Sequence, residues 1–178
     1  MAKKYSIIYA DPPWSYANKG TRAAADKHYN TMSLDEIKRL PLFSGTQNIA
    51  ADNCALFLWV TAPMLPFAFD IIKAWGFTYK TVAFVWIKQN KKNTSSLFWG
   101  LGNYTRSNAE FCLLATKGNI KREAKDVHSV IMSPIAAHSK KPGEARDRIV
   151  KLMGDLPRIE LFAREVAPGW DAWGNEIS

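Results

Sequence analysis

Cysteine is scarce. Cys54 and Cys112 are the two in 178 residues, and both sit inside apolar runs. They offer no metal-ligand spacing and no disulfide framework, so a stapled secreted domain is excluded and buried thiols in a reducing compartment are expected. Long hydrophobic runs are missing too. Nothing approaches the ~18 apolar residues that a membrane span needs, and the apolar stretch after Lys3 and Lys4 is too short for a signal peptide. Repeats, low-complexity tracts and linkers are absent, so residues 1–178 are expected to form one domain. With 47% apolar and 22% charged residues, the composition is that of a globular chain. Acidic residues are the other shortage: 16 against 24 Lys and Arg, a net charge of +8. Such a surplus suits a polyanionic partner such as nucleic acid, and equally a basic but otherwise ordinary enzyme. The seven tryptophans could stack on bases or simply fill the core.

Buried strands alternate with helices along the chain. The spacing predicts strands over 5–10, 55–61, 81–88, 110–116 and 158–163. Helices are predicted after the capping box Ser33-Leu34-Asp35-Glu36, over 63–75 with Gly76 as its stop, and over 142–153 with Gly154 as its stop. Ser15–Met32 and Gln89–Ser107 are expected to be loops, the second long and mobile. Lys117–Ala137 is mixed and takes no definite assignment. This order argues for an α/β fold, with a mostly parallel central sheet and helices on both faces. Ligands of such sheets bind beyond the carboxyl ends of the strands. Asp11-Pro12-Pro13-Trp14 lies just past the end of the first one.

That tetrapeptide has a definite chemistry. Asp11 offers a carboxylate that only accepts hydrogen bonds. Pro12 and Pro13 have no N–H, so their carbonyls are expected to stay available while the rings fix the backbone. Trp14 adds a flat apolar face. Together they suit a planar group bearing NH2, such as the exocyclic amine of a base. Two acceptors on its hydrogens would localise the nitrogen lone pair and ready it to attack an activated methyl, held by positioning and electrostatics. The plainer reading of the same residues is a strand-ending turn.

The chain resembles the MT-A70 family of adenine-N6 methyltransferases, which use S-adenosylmethionine. The matching segments run in order along almost the whole chain: Tyr9–Trp14, Tyr29–Ser33, Leu56–Thr61, Trp75-Gly76-Phe77, Val85–Lys88, Glu110–Leu113, Lys117-Gly118-Asn119, His138–Pro142, Glu160–Arg164, Trp170 and Gly174-Asn175-Glu176. Each is weak alone and the ordered set is specific. The resemblance implies a Rossmann-like methyltransferase fold. It also implies that Asp11 and Pro12, with Pro13, hold the target amine and that Trp14 lines the adenine pocket. Tyr29, Trp59, Trp86 and Glu110 would lie against the substrate. Asp11, His138, Lys141, Phe162, Arg164, Asn175 and Glu176 would bind S-adenosylmethionine, with Asn175 and Glu176 near the ribose hydroxyls. S-adenosylhomocysteine would be the product, and no metal is expected.

Two departures stand out. Many members carry an Asp-containing segment upstream of the first strand that contacts the donor's adenine. This sequence begins four residues before that strand, so the segment is missing, and donor affinity or closure of the donor pocket is expected to suffer. The loop between Arg164 and Pro168 is shorter than in eukaryotic RNA-modifying relatives. The lone Gly100-Leu101-Gly102 is not a nucleotide-binding fingerprint, and the glycine-rich donor loop of common amino-methyltransferases is missing.

The two long loops carry Lys19, Arg22, Lys27, Lys91, Lys92 and Arg106, beside Lys88, with Tyr16, Tyr29, Phe98, Trp99 and Tyr104 among them. This mix suits a phosphate track with base stacking. Lys88, Lys91, Lys92 and Arg106 are therefore candidate nucleic-acid contacts. The expected activity is methyl transfer to adenine N6 in nucleic acid, DNA favoured over RNA, in the cytoplasm of a bacterial or phage-infected cell. A homodimer or a second methyltransferase subunit is a possible partner, and no membrane is. A non-catalytic nucleic-acid-binding subunit, or methylation of another planar amine, are the competing readings.

Overall fold

The computed structural model describes residues 3–15, 31–136 and 140–177. Seven strands form one sheet in the order β5-β3-β4-β2-β1-β6-β7. They are β1 (Tyr5–Ala10), β2 (Ala50–Thr61), β3 (Thr78–Gln89), β4 (Glu110–Lys117), β5 (Val130–Pro134), β6 (Arg158–Leu161) and β7 (Asp171–Trp173). β1 pairs in parallel with β2 and β6, β3 with β5, and β6 with β7. Only β4 runs against its neighbours, β2 and β3. The expected mostly parallel α/β sheet is therefore what the chain forms.

Alternation along the strands builds two cores. Ile8, Ala10, Leu56, Leu58 and Val60 face one side, where Ile37 of α1 (Leu34–Lys38) and Ala68, Ile71 and Ile72 of α2 (Leu65–Ala74) cover them. Ile7, Tyr9, Ala55, Phe57 and Trp59 face the other, under Ala145, Ile149 and Met153 of α3 (Glu144–Met153). A strand buried on both faces must read as a continuous apolar run, as β1 and the second half of β2 do.

Helix ends follow their sequence signals. The Ser33–Glu36 capping box forms at α1, with Ser33 Oγ accepting from the Glu36 N–H and Glu36 reaching back to the Ser33 N–H at 2.7 Å. Beyond α2, Gly76 takes φ +82°, the left-handed value that lets the Phe77 N–H reach back to the Ile72 carbonyl and close the helix. α3 begins two residues after Pro142, and Gly154 ends it. Among the described residues, no helix is long and apolar enough to cross a membrane.

Strand bounds shift and two strands are new: β3 begins three residues before its expected span, and β6 ends at Leu161, before Phe162 turns left-handed. β2 starts five residues earlier than its apolar run, because Ala50 pairs with Tyr5 ahead of a register shift. β5 and β7 were not read from the sequence. β5 is an edge strand with Val130 and Met132 exposed, and β7 is three residues long, so neither shows a buried-strand pattern.

From β1 the chain moves outward through β2 to β5, and α3 then carries it back to β6 on β1's other side. That reversal opens a crevice at the carboxyl ends of β1 and β6, where sheets of this kind bind ligands. Asp11 follows β1 and Phe162 follows β6.

Candidate active site

Four charged side chains line up at this edge of the sheet. Lys141 Nζ lies 2.9 Å from Asp11 Oδ2 and 3.0 Å from Glu110 Oε2. Glu110 Oε1 in turn accepts from Lys88 Nζ at 2.6 Å. Asp11 ends β1, Glu110 opens β4 and Lys88 lies near the end of β3. β4 runs backwards, so its first residue sits at the carboxyl edge of the other strands, opposite Thr61 and Trp86. Lys141 arrives on the segment between β5 and α3.

The four are unequally buried. Glu110 is almost fully enclosed, and Lys141 is 11% exposed. Asp11 keeps 22% of its side chain accessible, so it is neither free in solvent nor sealed off. Burial pushes the Asp11 carboxyl above the usual aspartate range; Lys141 opposes that rise and Glu110 adds to it. Burial also acts on Glu110, but Lys141 and Lys88 outweigh it and hold that carboxyl low. Lys141 loses solvation as well, yet its two carboxylate partners keep it above the usual lysine value. Along the cluster, carboxylates and ammonium groups alternate, two of each.

The aromatic residues form its floor. Lys141 Nζ stands 5.8 Å from the centroid of the Trp59 ring, and Lys88 Nζ 5.2 Å from that of Trp86. The two indoles meet edge to face at 6.5 Å and are buried. They support the cations from below and present no open face for a base. Trp59 Nε1 donates to the Tyr9 hydroxyl at 2.7 Å, and its backbone carbonyl accepts from Trp14 Nε1 at 3.2 Å. Nothing in the sequence marks Tyr9 for the site; the parallel register that pairs it with Phe57 puts it on the face of Trp59.

The proline carbonyls are not unoccupied, contrary to the sequence expectation. The Trp14 N–H donates to the Pro12 carbonyl at 2.9 Å, and the Met32 N–H donates to that of Pro13 at 2.9 Å. The chain turns so sharply after Pro12 that its carbonyl meets the amide two residues on. Each oxygen keeps a second lone pair, so one acceptor position remains on each.

Beyond β6, Phe162 adopts φ +59°, a left-handed conformation costly for a residue with a Cβ. Its ring packs edge to face on Trp173 at 5.4 Å. Arg164 Nε lies 3.9 Å from Glu176 Oε1, and the field of Arg164 reaches Asp11. Asn175 and Glu176 are exposed just past β7. This half offers a cation, a carboxylate, an amide and an aromatic ring. That donor set fits a ligand carrying a carboxylate and a ribose diol. Among the described residues, no group of three His, Cys, Asp or Glu is placed to hold a metal ion.

Lys91 and Lys92 are exposed on the loop between β3 and β4, and Arg106 is on the same loop. Asn108, missed by sequence reading, fastens that loop. Its Oδ1 accepts from the Lys88 N–H and its Nδ2 donates to the Lys88 carbonyl, each at 2.9 Å, and Nδ2 also reaches the Phe98 carbonyl. Tyr29 and His138 lie outside the described residues, as do Lys19, Arg22 and Lys27.

Comparison with known proteins gives the same picture. The MT-A70 family model matches residues 5–176. Type II methyltransferase M.MunI of Mycoplasma sp is 38% identical over 195 aligned positions, covering 98% of this chain and 78% of that protein. The N(6)-adenosine-methyltransferase MT-A70-like protein of Drosophila melanogaster and the N(6)-adenosine-methyltransferase catalytic subunit METTL3 of Homo sapiens are 29% and 28% identical across 98% of this chain. The chain spans 27% and 28% of those two proteins. Since the match spans from β1, through the Asp11 turn, to Glu176, the chain belongs to the MT-A70 family of adenine-N6 methyltransferases.

Proposed function

We propose that the chain transfers a methyl group from S-adenosylmethionine to the N6 amine of adenine in DNA. The observation that carries this reading is the Asp11 carboxylate, held by Lys141 at the carboxyl edge of β1 with part of its surface open.

One N6 hydrogen is accepted by Asp11 and the other by the remaining lone pair of the Pro12 carbonyl. Both acceptors pull the amine toward a tetrahedral nitrogen and free its lone pair from the ring. Asp11 also faces the positive charge that develops on nitrogen, the kind of preorganised electrostatics worth about 2.7–4 kcal/mol in a transition state. The proton released from nitrogen has a neighbouring acceptor in Asp11, whose raised value favours taking it. Lys141 opposes the effect of burial on that carboxylate. Bound S-adenosylmethionine supplies an electrophilic methyl and departs as S-adenosylhomocysteine. Arg164, Phe162, Asn175 and Glu176 hold it, and Lys141 faces both ligands. Lys91, Lys92 and Arg106 contact phosphates; Lys88, expected from the sequence to join them, is instead engaged by Glu110 at 2.6 Å. DNA is favoured because M.MunI, a type II methyltransferase, matches along nearly the whole chain. The place of action is the cytoplasm of a bacterial or phage-infected cell.

The test is incubation with methyl-labelled S-adenosylmethionine and, separately, unmethylated plasmid DNA, RNA and adenosine, followed by nucleoside mass analysis. Labelled N6-methyladenine from the plasmid is expected. Label in RNA alone would reassign the substrate, and none in any sample would remove the reading.

A further inference from the structure

The loop between β3 and β4 is more built than its composition suggests. Asn108 clamps its root to Lys88, one ion pair from Glu110. Higher up, the Gly100 N–H donates to the Ser107 carbonyl at 2.7 Å. Arg106 folds back to donate from Nε to the Gly100 carbonyl at 3.0 Å and from Nη2 to the Trp99 carbonyl at 3.2 Å. A Cβ at Gly102 would collide with the Thr105 carbonyl, so the turn closes only with glycine there. Leu97 and Phe98 are half-buried.

What this clasped turn presents is apolar. Leu101 is 89% exposed and Tyr104 fully so. At its base Trp99 is 52% exposed and borders, with Arg106, a shallow, open hollow of about 300 Å³. Scattered exposed apolar residues are ordinary on a surface, but here two sit on one hydrogen-bonded turn. The charge around them selects the partner. From Gln89 to Ala109 there is no Asp or Glu, against Lys91, Lys92 and Arg106. Such a loop is drawn to a polyanion, with no carboxylate of its own to repel phosphates.

An adenine paired inside a duplex cannot reach Asp11 unless it leaves the stack, and the stack then has a hole. We infer that the turn 100–107 enters double-stranded DNA beside the target and that Tyr104 and Leu101 fill the space vacated by the adenine. The inference rests on the adenine-N6 reading above. Apolar side chains inserted between base steps partly unstack them, while the basic residues beside them hold the backbone. Exposure costs the free protein little in stability, because the turn is held by Arg106 and the backbone rather than by those two side chains.

Insertion unwinds DNA, which gives a readout independent of recognition sequence. Closed circular plasmid is relaxed by a type I topoisomerase with the full chain bound at saturation, and the topoisomers are resolved on a gel. Binding to the same plasmid is followed by gel shift, and methyl transfer to it with labelled S-adenosylmethionine. The wild type is expected to shift the topoisomers. L101A/Y104A is expected to lose the shift and about tenfold or more of its methyl transfer to the plasmid, while its binding stays within roughly threefold of wild type. Y104W, which keeps a stacking face, is expected to restore the shift. Equal shifts by wild type and the double variant, or none by a wild type that binds and methylates, would overturn the inference. A wild type that neither binds nor methylates the plasmid would instead sink the adenine-N6 DNA reading.

Discussion

The two halves of the active edge are held together differently. Around β1, β3 and β4, Asp11, Glu110, Lys141 and Lys88 pair with one another within 3.0 Å, enclosed above a floor of indoles. Around β6 and β7, Arg164 and Glu176 are 3.9 Å apart and partly exposed, on short turns after short strands. In the first half each charge depends on its neighbours, because a buried ion left unpaired keeps its desolvation cost and loses its compensation. In the second, water can replace any missing partner. We therefore expect loss of the shared cation in the first half to spread to its neighbours and substitutions in the second half to stay local.

Removal of Lys141 breaks the first half most severely. K141M leaves Asp11 and Glu110 facing each other, with Lys88 on Glu110 and the more distant Arg164 to balance them. A loss of about 3–5 kcal/mol is expected in chemical denaturation at pH 8. With the cation gone, Asp11 moves further above the usual aspartate range. The folded state then takes up a proton that the unfolded chain does not, so part of the loss is recovered as pH falls through that raised value. A loss equal at pH 8 and pH 5 would contradict this account of the cluster.

Replacement of Asp11 acts on catalysis rather than on folding. D11N is expected to lower methyl transfer by about 10²–10³. The thermal midpoint should not fall, because burial already disfavours the ionised carboxyl and Lys141 keeps Glu110. In the wild type, activity is expected to fall on acidification at a pH above the range of a free aspartate, as Asp11 gains a proton and ceases to accept. Rate profiles from pH 4 to 8 measure this limb.

N108A releases the loop root and leaves the Lys88 backbone groups to find other partners. A loss of roughly 1–3 kcal/mol is expected, with weaker DNA binding and unchanged affinity for S-adenosylhomocysteine by calorimetry. E176Q gives the smallest change in stability, below about 1 kcal/mol, since its ion pair is long and exposed. Its effect should appear in cofactor affinity alone, lowered roughly tenfold. A general loss of fold in E176Q would erase the contrast between the halves.

The same contrast marks what the sequence reveals. β1, the capping box at Ser33 and the ends of α2 and α3 are local features, written in alternation, caps and glycine stops. The Asp11 turn is legible because its chemistry lies within four consecutive residues. Nothing in spacing brings positions 11, 88, 110 and 141 together. Their meeting depends on β4 running backwards and on the chain returning past β1, and only the family resemblance pointed to Glu110 and Lys141 as site residues. Asn108 and Tyr9 stayed hidden for a related reason: one replaces backbone pairing with a side chain, and the other looks like an ordinary core tyrosine. β7 is three residues long and gives almost no pattern to read.

The most direct test of the central claim is a single-turnover comparison of wild type and D11N on plasmid DNA that the wild type methylates, with S-adenosylhomocysteine and DNA binding measured on the same preparations. The account predicts a loss of about 10²–10³ in the methyl-transfer rate with both affinities within a few-fold of wild type. A D11N enzyme that transfers methyl at the wild-type rate would contradict it.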